Sequence, residues 1–528
     1  RCSAQYSNLF CSDQYKYRSF DGSCNHRMHP GWGRANTAYR RLIAADYDDG
    51  IFSPRGLTRG QEFPSARLLS TSLFYDEDRP DYTRTLAVVH WGQFIAHDLA
   101  FTGVSKMLNL DKTVSCCQES GATLSPRHIH SSCIPISVPK DDPFYSKHGQ
   151  TCMNYVRSLN SMRADCHFGP AEQMNQATHL LDGSMLYGTS QEKAKALRQM
   201  TGGKMKTQID MDGHEYLPVF TPDKKMERCQ ISRNSSTCYE SGDTRVNSQP
   251  QLTLMHTLWL REHNRLAEQL SILNPHWNDE TVYQEARRIV ISQMQHITYN
   301  EWLPALSPRA VSRDLSQGKI PLTKITNATF ALKSHFYKPA VVQQDDNFDH
   351  LIRGLATQSS QKMDLKYSTA MTQYLFSDSM AFGMDALSLA IQRGRDHGLP
   401  GYNQYRKFCG LPEAHSFIVQ KLKSLYKSVD DIDLLVGGIA EKPADESLVG
   451  PTFRCIMGEQ FIRTRIGDRF FYDNPSQPNS YREERLHQIR KSSLARIFCD
   501  NSDNITMMQR NNIWIAFCKK EPLALQCC

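Results

Sequence analysis

The feature that most narrows the fold is a pair of long periodic segments, LTLMHTLWLREHNRLAEQLSILNP starting at Leu252 and a second from about Asp279 to Tyr299. Their apolar residues recur every three or four positions, which places them on one face of a helix and is foreign to the alternation of a strand. The same spacing returns over Thr85–Leu99, over residues 190–199 and ahead of Arg393, while strand alternation is scarce. The pattern predicts a mainly α protein. Length alone, 528 residues, predicts more than one domain. Against that stands the absence of any low-complexity tract or short repeat, so the helices read as one large domain with long loops between them.

Those loops carry the sixteen cysteines. The count is even, the spacing is wide and irregular, and no repeated C-x-x-C suggests structural zinc, so the cysteines read as a disulfide framework in an oxidising compartment. Residues 1 to about 60 are rich in turn formers and read as an irregular arm in which Cys11 and Cys24 are candidate partners. Adjacent Cys116 and Cys117 are expected to bond to different partners. Sequons at Asn234, Asn327 and Asn504 fit a secreted glycoprotein, and a chain opening at Arg1 without an apolar leader reads as a mature form. No apolar run is long enough to span a bilayer. The charges, 62 basic against 55 acidic, are dispersed rather than blocked, which gives no footprint for nucleic acid.

Chemistry concentrates in WGQFIAHDLAFT, Trp91–Thr102. On a helix Gln93 and His97 share a face, and Asp98 points a carboxylate elsewhere. Alone this is an ordinary polar helix face. Further on, ATHLLDGSMLYGTS sets the oxygens of Thr178, Asp182 and Ser184 close together, a hard set that suits Ca²⁺ better than a transition metal, although Asp-Gly-Ser is also a common turn. His256, His263 and His296 lie in the two long helices without an H-E-x-x-H, and read as packed rather than metal-binding.

Taken in order, WGQFIAHD, LLDGSMLYGTS, GDTR followed by LMHTLWLREHNRLA, and IQRGRDHGLPGYN resemble the animal haem peroxidases, and the resemblance runs from YRSFDGSCNH to NNIW. It implies a single, mostly helical domain around a haem b, which overrides the expectation from length. It also implies His97 as the distal acid–base, Gln93 as its hydrogen-bonding companion, Arg245 as the distal cation and Arg393 as a haem-propionate partner. Calcium would be held by Asp98, Thr178, the Leu180 carbonyl, Asp182 and Ser184. The implied reaction is oxidation of phenols, catechols or halides by hydrogen peroxide, in a secreted enzyme.

The chain also departs from the pattern. Ala96 and Ser248 stand where the family forms carboxylate esters to haem, Gln249 where myeloperoxidase uses Met, and Ala100 where an acidic residue is expected. Haem is therefore expected to be non-covalent. Ala390 replaces the Asn that supports the proximal histidine. His335 is the only histidine between Pro304 and Asp349 and so the candidate iron ligand, yet FALKSHFYKP matches the segment that follows the proximal helix in arthropod members. On that alignment the proximal helix is absent between about 305 and 335. The alternative reading is a catalytically impaired or haem-free secreted binding or adhesion glycoprotein, or a truncated isoform.

Overall fold

The computed structural model describes residues 9, 11–12, 14–26, 28–57, 62–107, 113–163, 165–220, 237–306, 332–377, 380–444, 447–475, 477–478, 480–509, 513–514 and 524–526. Its principal helices are α1 (Ala66–Leu73), α2 (Leu86–Leu99), α3 (Pro250–Leu273), α4 (Asp279–Ile297), α5 (Asn347–Thr357), α6 (Ala386–Asp396), α7 (Pro451–Ile466) and α8 (Leu494–Asn501). Strands among the described residues are two to six residues long. The mainly α reading holds.

Gln249 is extended, and Pro250 opens α3 at the first helical position, where its missing N–H has no intrahelical role to lose. The helix departs from the amphipathic reading, because nearly every residue from Leu252 to Asn264 is buried. Most of its polar side chains are tolerated there because they find partners, although His256 Nε2, Trp259 Nε1 and Arg261 Nη2 have none. Arg261 donates to Asp503 and to the Glu215 carbonyl, and Glu262 accepts from Gln293 and Asn501. A short turn leads to α4, whose N-cap Asn278 accepts from Thr281 N at 2.9 Å, with Asp279 and Glu280 complementing the helix dipole in the first turn. At its far end α4 widens into a π turn, Thr298–Trp302, which carries the Trp302 indole N–H onto the Val88 carbonyl of α2 at 2.8 Å.

The larger core gathers α2, α3, α4, α5 and α8 around Trp91, whose ring meets Phe94, Trp259 and Trp514 at 5.8–6.2 Å. A second core joins α1 and α6 to residues 402–439. Arg67 crosses the base of this second core, pairing with Asp142 at 2.7 Å and Asp385 at 2.8 Å, all three buried. The N-terminal arm is laced into the body. Thr37–Ala38 pairs antiparallel with Glu172–Asn175, and Arg18 binds both oxygens of Asp468 at 2.6 Å.

Disulfides join Cys11 to Cys24, Cys116 to Cys133, Cys117 to Cys152 and Cys409 to Cys455. The pair at 116 and 117 does take different partners. Of the three sequons, Asn504 is exposed, while Asn234 and Asn327 lie outside the described residues. No helix among the described residues is long and apolar enough to cross a membrane.

Candidate active site

α2 carries the site on the face opposite its core contacts. Ala87, Trp91, Phe94, Ile95 and Asp98 are buried, whereas Gln93 and His97 are half-buried on the other side and Ala96 is exposed. Thr85 ends the preceding strand, and its hydroxyl donates to the Ile513 carbonyl at 2.5 Å, which fixes where the helix begins. At the other end the chain turns extended at Ala100.

The Gln249 side-chain amide donates to Gln93 Oε1 at 2.5 Å, tying α2 to the entry of α3. Arg245 is gripped twice. Asp243, at the cap of its turn, accepts from the Arg245 backbone N–H at 2.7 Å and from its guanidinium. Nη2 also donates to the His97 and Ala100 carbonyls at 3.2 and 2.9 Å, at the partially negative end of α2. Burial pushes the Asp243 carboxyl upward, but the Arg245 charge and hydrogen bonds outweigh it and hold Asp243 below the usual range. His97 is pushed down to about 3, by burial first and by the Arg245 charge second. Its imidazole is therefore neutral at physiological pH, and Nδ1 is a buried atom without a hydrogen-bond partner. A neutral base with an open valence beside a fixed cation can accept a proton and have the resulting anion held.

Arg393 is exposed on α6. The charges of Arg245 and Arg393 both act on Tyr39, although burial dominates and raises this phenol. The Tyr39 hydroxyl lies 2.8 Å from Thr102 Oγ1.

Beneath α2 lies the oxygen cluster. Asp98 Oδ2 accepts from the backbone N–H of Asp182 and Gly183 at 3.0 Å each, and Asp98 Oδ1 from the Ser184 hydroxyl at 2.8 Å. Thr178 Oγ1 donates to Asp182 Oδ1 at 2.7 Å and reaches Ser184 Oγ at 3.1 Å. Gly183 takes φ 72°, a left-handed turn that lets the loop fold back on Asp98. Leu180 is buried in the same loop. Asp182 Oδ2 is buried without a partner, and burial drives the Asp98 and Asp182 carboxyls up to about 7 and about 6. Two buried carboxylates, two hydroxyls and one orphaned oxygen fit a hard dication.

The histidines of α3 and α4 are packed as expected: His256 on Ser241 at 2.9 Å, His263 on Tyr187 at 3.0 Å, His296 on Tyr472 at 3.0 Å. His335 ends a short helical turn, Leu332–His335, that is joined to the distal loop by Tyr337 N–H donating to the Ser248 carbonyl at 3.2 Å. Phe336 buries against Phe376. Residues 307–331, where a proximal helix was sought, lie outside the described residues. Asp243 and Tyr39 were missed from sequence. Asp243 had a signal, since an Asp two residues ahead of Arg245 is a cap; Tyr39 had none.

The sequence profile of the animal haem peroxidases matches residues 17–318 and 315–513. The chain belongs to the animal haem peroxidase family. It is 38% identical to Peroxidase of Drosophila melanogaster, over 93% of this chain and 79% of that protein. Chorion peroxidase of the same fly is 37% identical over 93% of this chain and 66% of its own length, so the chain spans slightly under two thirds of that relative. The human peroxidasin homolog is 34% identical over 98% of this chain but only 38% of its own length. Among solved structures, peroxidase A of Dictyostelium discoideum superposes with a TM-score of 0.74 at 26% identity, covering 95% of this chain and all of that one. A fatty acid alpha-dioxygenase of Oryza sativa shares the fold at a TM-score of 0.69 and 17% identity. Family membership makes the protein a haem peroxidase enzyme, with hydrogen peroxide and a donor as substrates.

The fly Peroxidase alignment runs over 549 positions, whereas 93% of 528 residues is about 491, so about 58 positions are filled in the relative and not here. The two stretches of the family match meet at residues 315–318, inside the interval where the sequence reading finds no proximal helix.

Proposed function

We propose that this protein is a secreted, calcium-binding peroxidase that uses hydrogen peroxide to oxidise small phenolic, catecholic or halide donors. The observation that carries the reading is the half-buried His97 imidazole with a buried, unpartnered Nδ1, set beside Arg245. His97 takes the proton of the incoming peroxide and returns it to the departing oxygen. Arg245, its orientation locked by Asp243, stabilises the negative charge that develops as the oxygen–oxygen bond opens. Gln93, steadied by Gln249, orients the peroxide by hydrogen bonding. A non-covalent haem b, with Arg393 as its propionate partner, would supply the oxidising equivalents. Calcium on Asp98, Thr178, Leu180, Asp182 and Ser184 holds the end of α2 in place and so the His97 ring.

The measurement that tests this is oxidation of guaiacol by hydrogen peroxide, followed alongside the Soret absorption of the purified protein. A Soret band with saturable turnover supports it. A protein that stays colourless after haemin is added defeats it.

A second reading draws on Ala390 and the 58-position shortfall: a haem-poor relative retained for binding. Its signature is a calcium-dependent fold with no haem uptake.

A further inference from the structure

The N-terminal arm, α4 and the loop that follows α7 line a pocket of about 40 Å³ that includes none of His97, Gln93, Arg245 or the calcium-loop residues. By the roughly 10–15 Å³ that one ordered water occupies, this is space for about three waters, close to the bulk of one small oxyanion. Among the described residues lining it are five cations, Lys16, Arg18, Arg287, Arg288 and Arg469, and no carboxylate. The nearby acids are turned to other tasks. Asp468 is held by Arg18 from behind, and Glu285 pairs with Lys16 and Arg288.

Arg287 decides how the pocket reads. It is 3% exposed, and its guanidinium donates only to neutral acceptors: the Arg18 carbonyl at 3.0 Å, the Ser19 carbonyl at 3.1 Å and Gln284 Oε1 at 3.4 Å. Its Nε is buried without a partner. Burial, with the Arg18 charge added to it, pulls the group below its ordinary range, and the carboxylate that offsets this, Asp182, belongs to the calcium loop. A buried cation without a contacting carboxylate is destabilising unless an anion joins it. The plain alternative is that carbonyls and ring faces suffice, as where Arg288 stacks over Tyr481 at 3.9 Å. Arg287 is served in the same way, its guanidinium lying 4.1 Å over the Phe20 ring and 5.6 Å from the Tyr187 ring, yet its Nε still has no hydrogen-bond partner.

We propose that this pocket binds one sulfate or phosphate group, either as the free dianion or as the monoester head of a larger molecule. Arginines line it from three separate chain segments, and although the Arg18 fork is engaged by Asp468, the spread of directions suits a tetrahedral oxyanion better than a planar carboxylate. The Tyr17, Asn474 and Ser480 side chains line the same space and add neutral polar groups. Binding would also clamp the arm to α4, because Lys16 and Arg18 lie on one side of the anion and Arg287 and Arg288 on the other.

The test is calorimetric titration of the full chain with sodium sulfate and sodium phosphate, against sodium chloride at matched ionic strength. Arg287→Met risks misfolding, so the variants are Arg288→Gln and Lys16→Gln, whose parent side chains are 16% and 50% exposed. Saturable 1:1 binding of either oxyanion is expected, weakened about tenfold in Arg288→Gln and about threefold in Lys16→Gln, with a rise in melting temperature that chloride does not reproduce. A sulfated disaccharide and phosphoserine are the remaining arms. Either binding tenfold tighter than its inorganic ion assigns the site to an ester head, and equal affinity assigns it to the free anion. Heat and melting temperature that follow ionic strength alone, or variants that bind like the parent, overturn the proposal.

Discussion

The two sides of the pocket are unequally furnished. On the distal side, α2, residues 178–184 and residues 243–249 interlock, and of their three orphaned atoms, His90 Nδ1, His97 Nδ1 and Asp182 Oδ2, the last two stand out as places for a ligand. By contrast Ala390 offers a methyl group where the family pattern has Asn, the His335 turn is tied to Ser248, and the alignment to the fly Peroxidase leaves about 58 of its positions unfilled in this chain. The difference teaches that a catalytic wall and a cofactor-holding wall can diverge separately, since they are built from different segments and satisfy their polar groups within themselves.

The most forceful way to probe that contrast is His97→Ala. Turnover with guaiacol is expected to fall about 10²–10⁴-fold, the range of a lost acid–base group, while circular dichroism stays unchanged. Retained turnover would remove His97 from the reaction. Next is Glu301, at the seam where α4 runs into the interval. Its carboxyl accepts from the Trp514 indole at 2.9 Å and from Leu494 N–H at 3.3 Å, and burial raises it to about 7 in spite of them. The folded value lies above the unfolded one, so this contribution to stability is complete below about pH 4.5 and is lost as pH rises through 7. The loss amounts to up to about 3 kcal/mol, and Glu301→Gln should flatten it in melting curves between pH 5 and pH 8.

Calcium removal comes third. Chelation leaves Asp98 and Asp182 facing each other, and a drop of a few degrees in melting temperature is expected, reversed by added Ca²⁺. Asp182→Asn should melt at one temperature with or without the ion. A chelator-insensitive parent would mean the loop is only a turn. The smallest effect is expected from His335→Ala and Ala390→Asn, which should leave any Soret band where it was. A shifted band in His335→Ala would make that residue the iron ligand and close much of the gap between the two sides.

What could be read from the chain follows how locally each feature is encoded. α2, the oxygens of 178–184 and Arg245 sit in short motifs whose helical or turn spacing carries the chemistry, so they were legible. The bond from Gln249 to Gln93 spans 156 residues. Likewise, the convergence of Arg245 and Arg393 on Tyr39 joins three distant segments. No local spacing encodes such meetings. The full burial of α3 was not legible for a related reason: only the folded chain shows the partners that take Arg261 and Glu262 inside.

The paired bridges at Cys116–Cys133 and Cys117–Cys152 have a further consequence. Arg127 is exposed within the loop that both close. A trypsin cut there would sever the backbone without releasing a piece. The nicked protein should migrate as one species on a non-reducing gel and as two after reduction, so a preparation clipped in this loop would go unnoticed until a thiol is added.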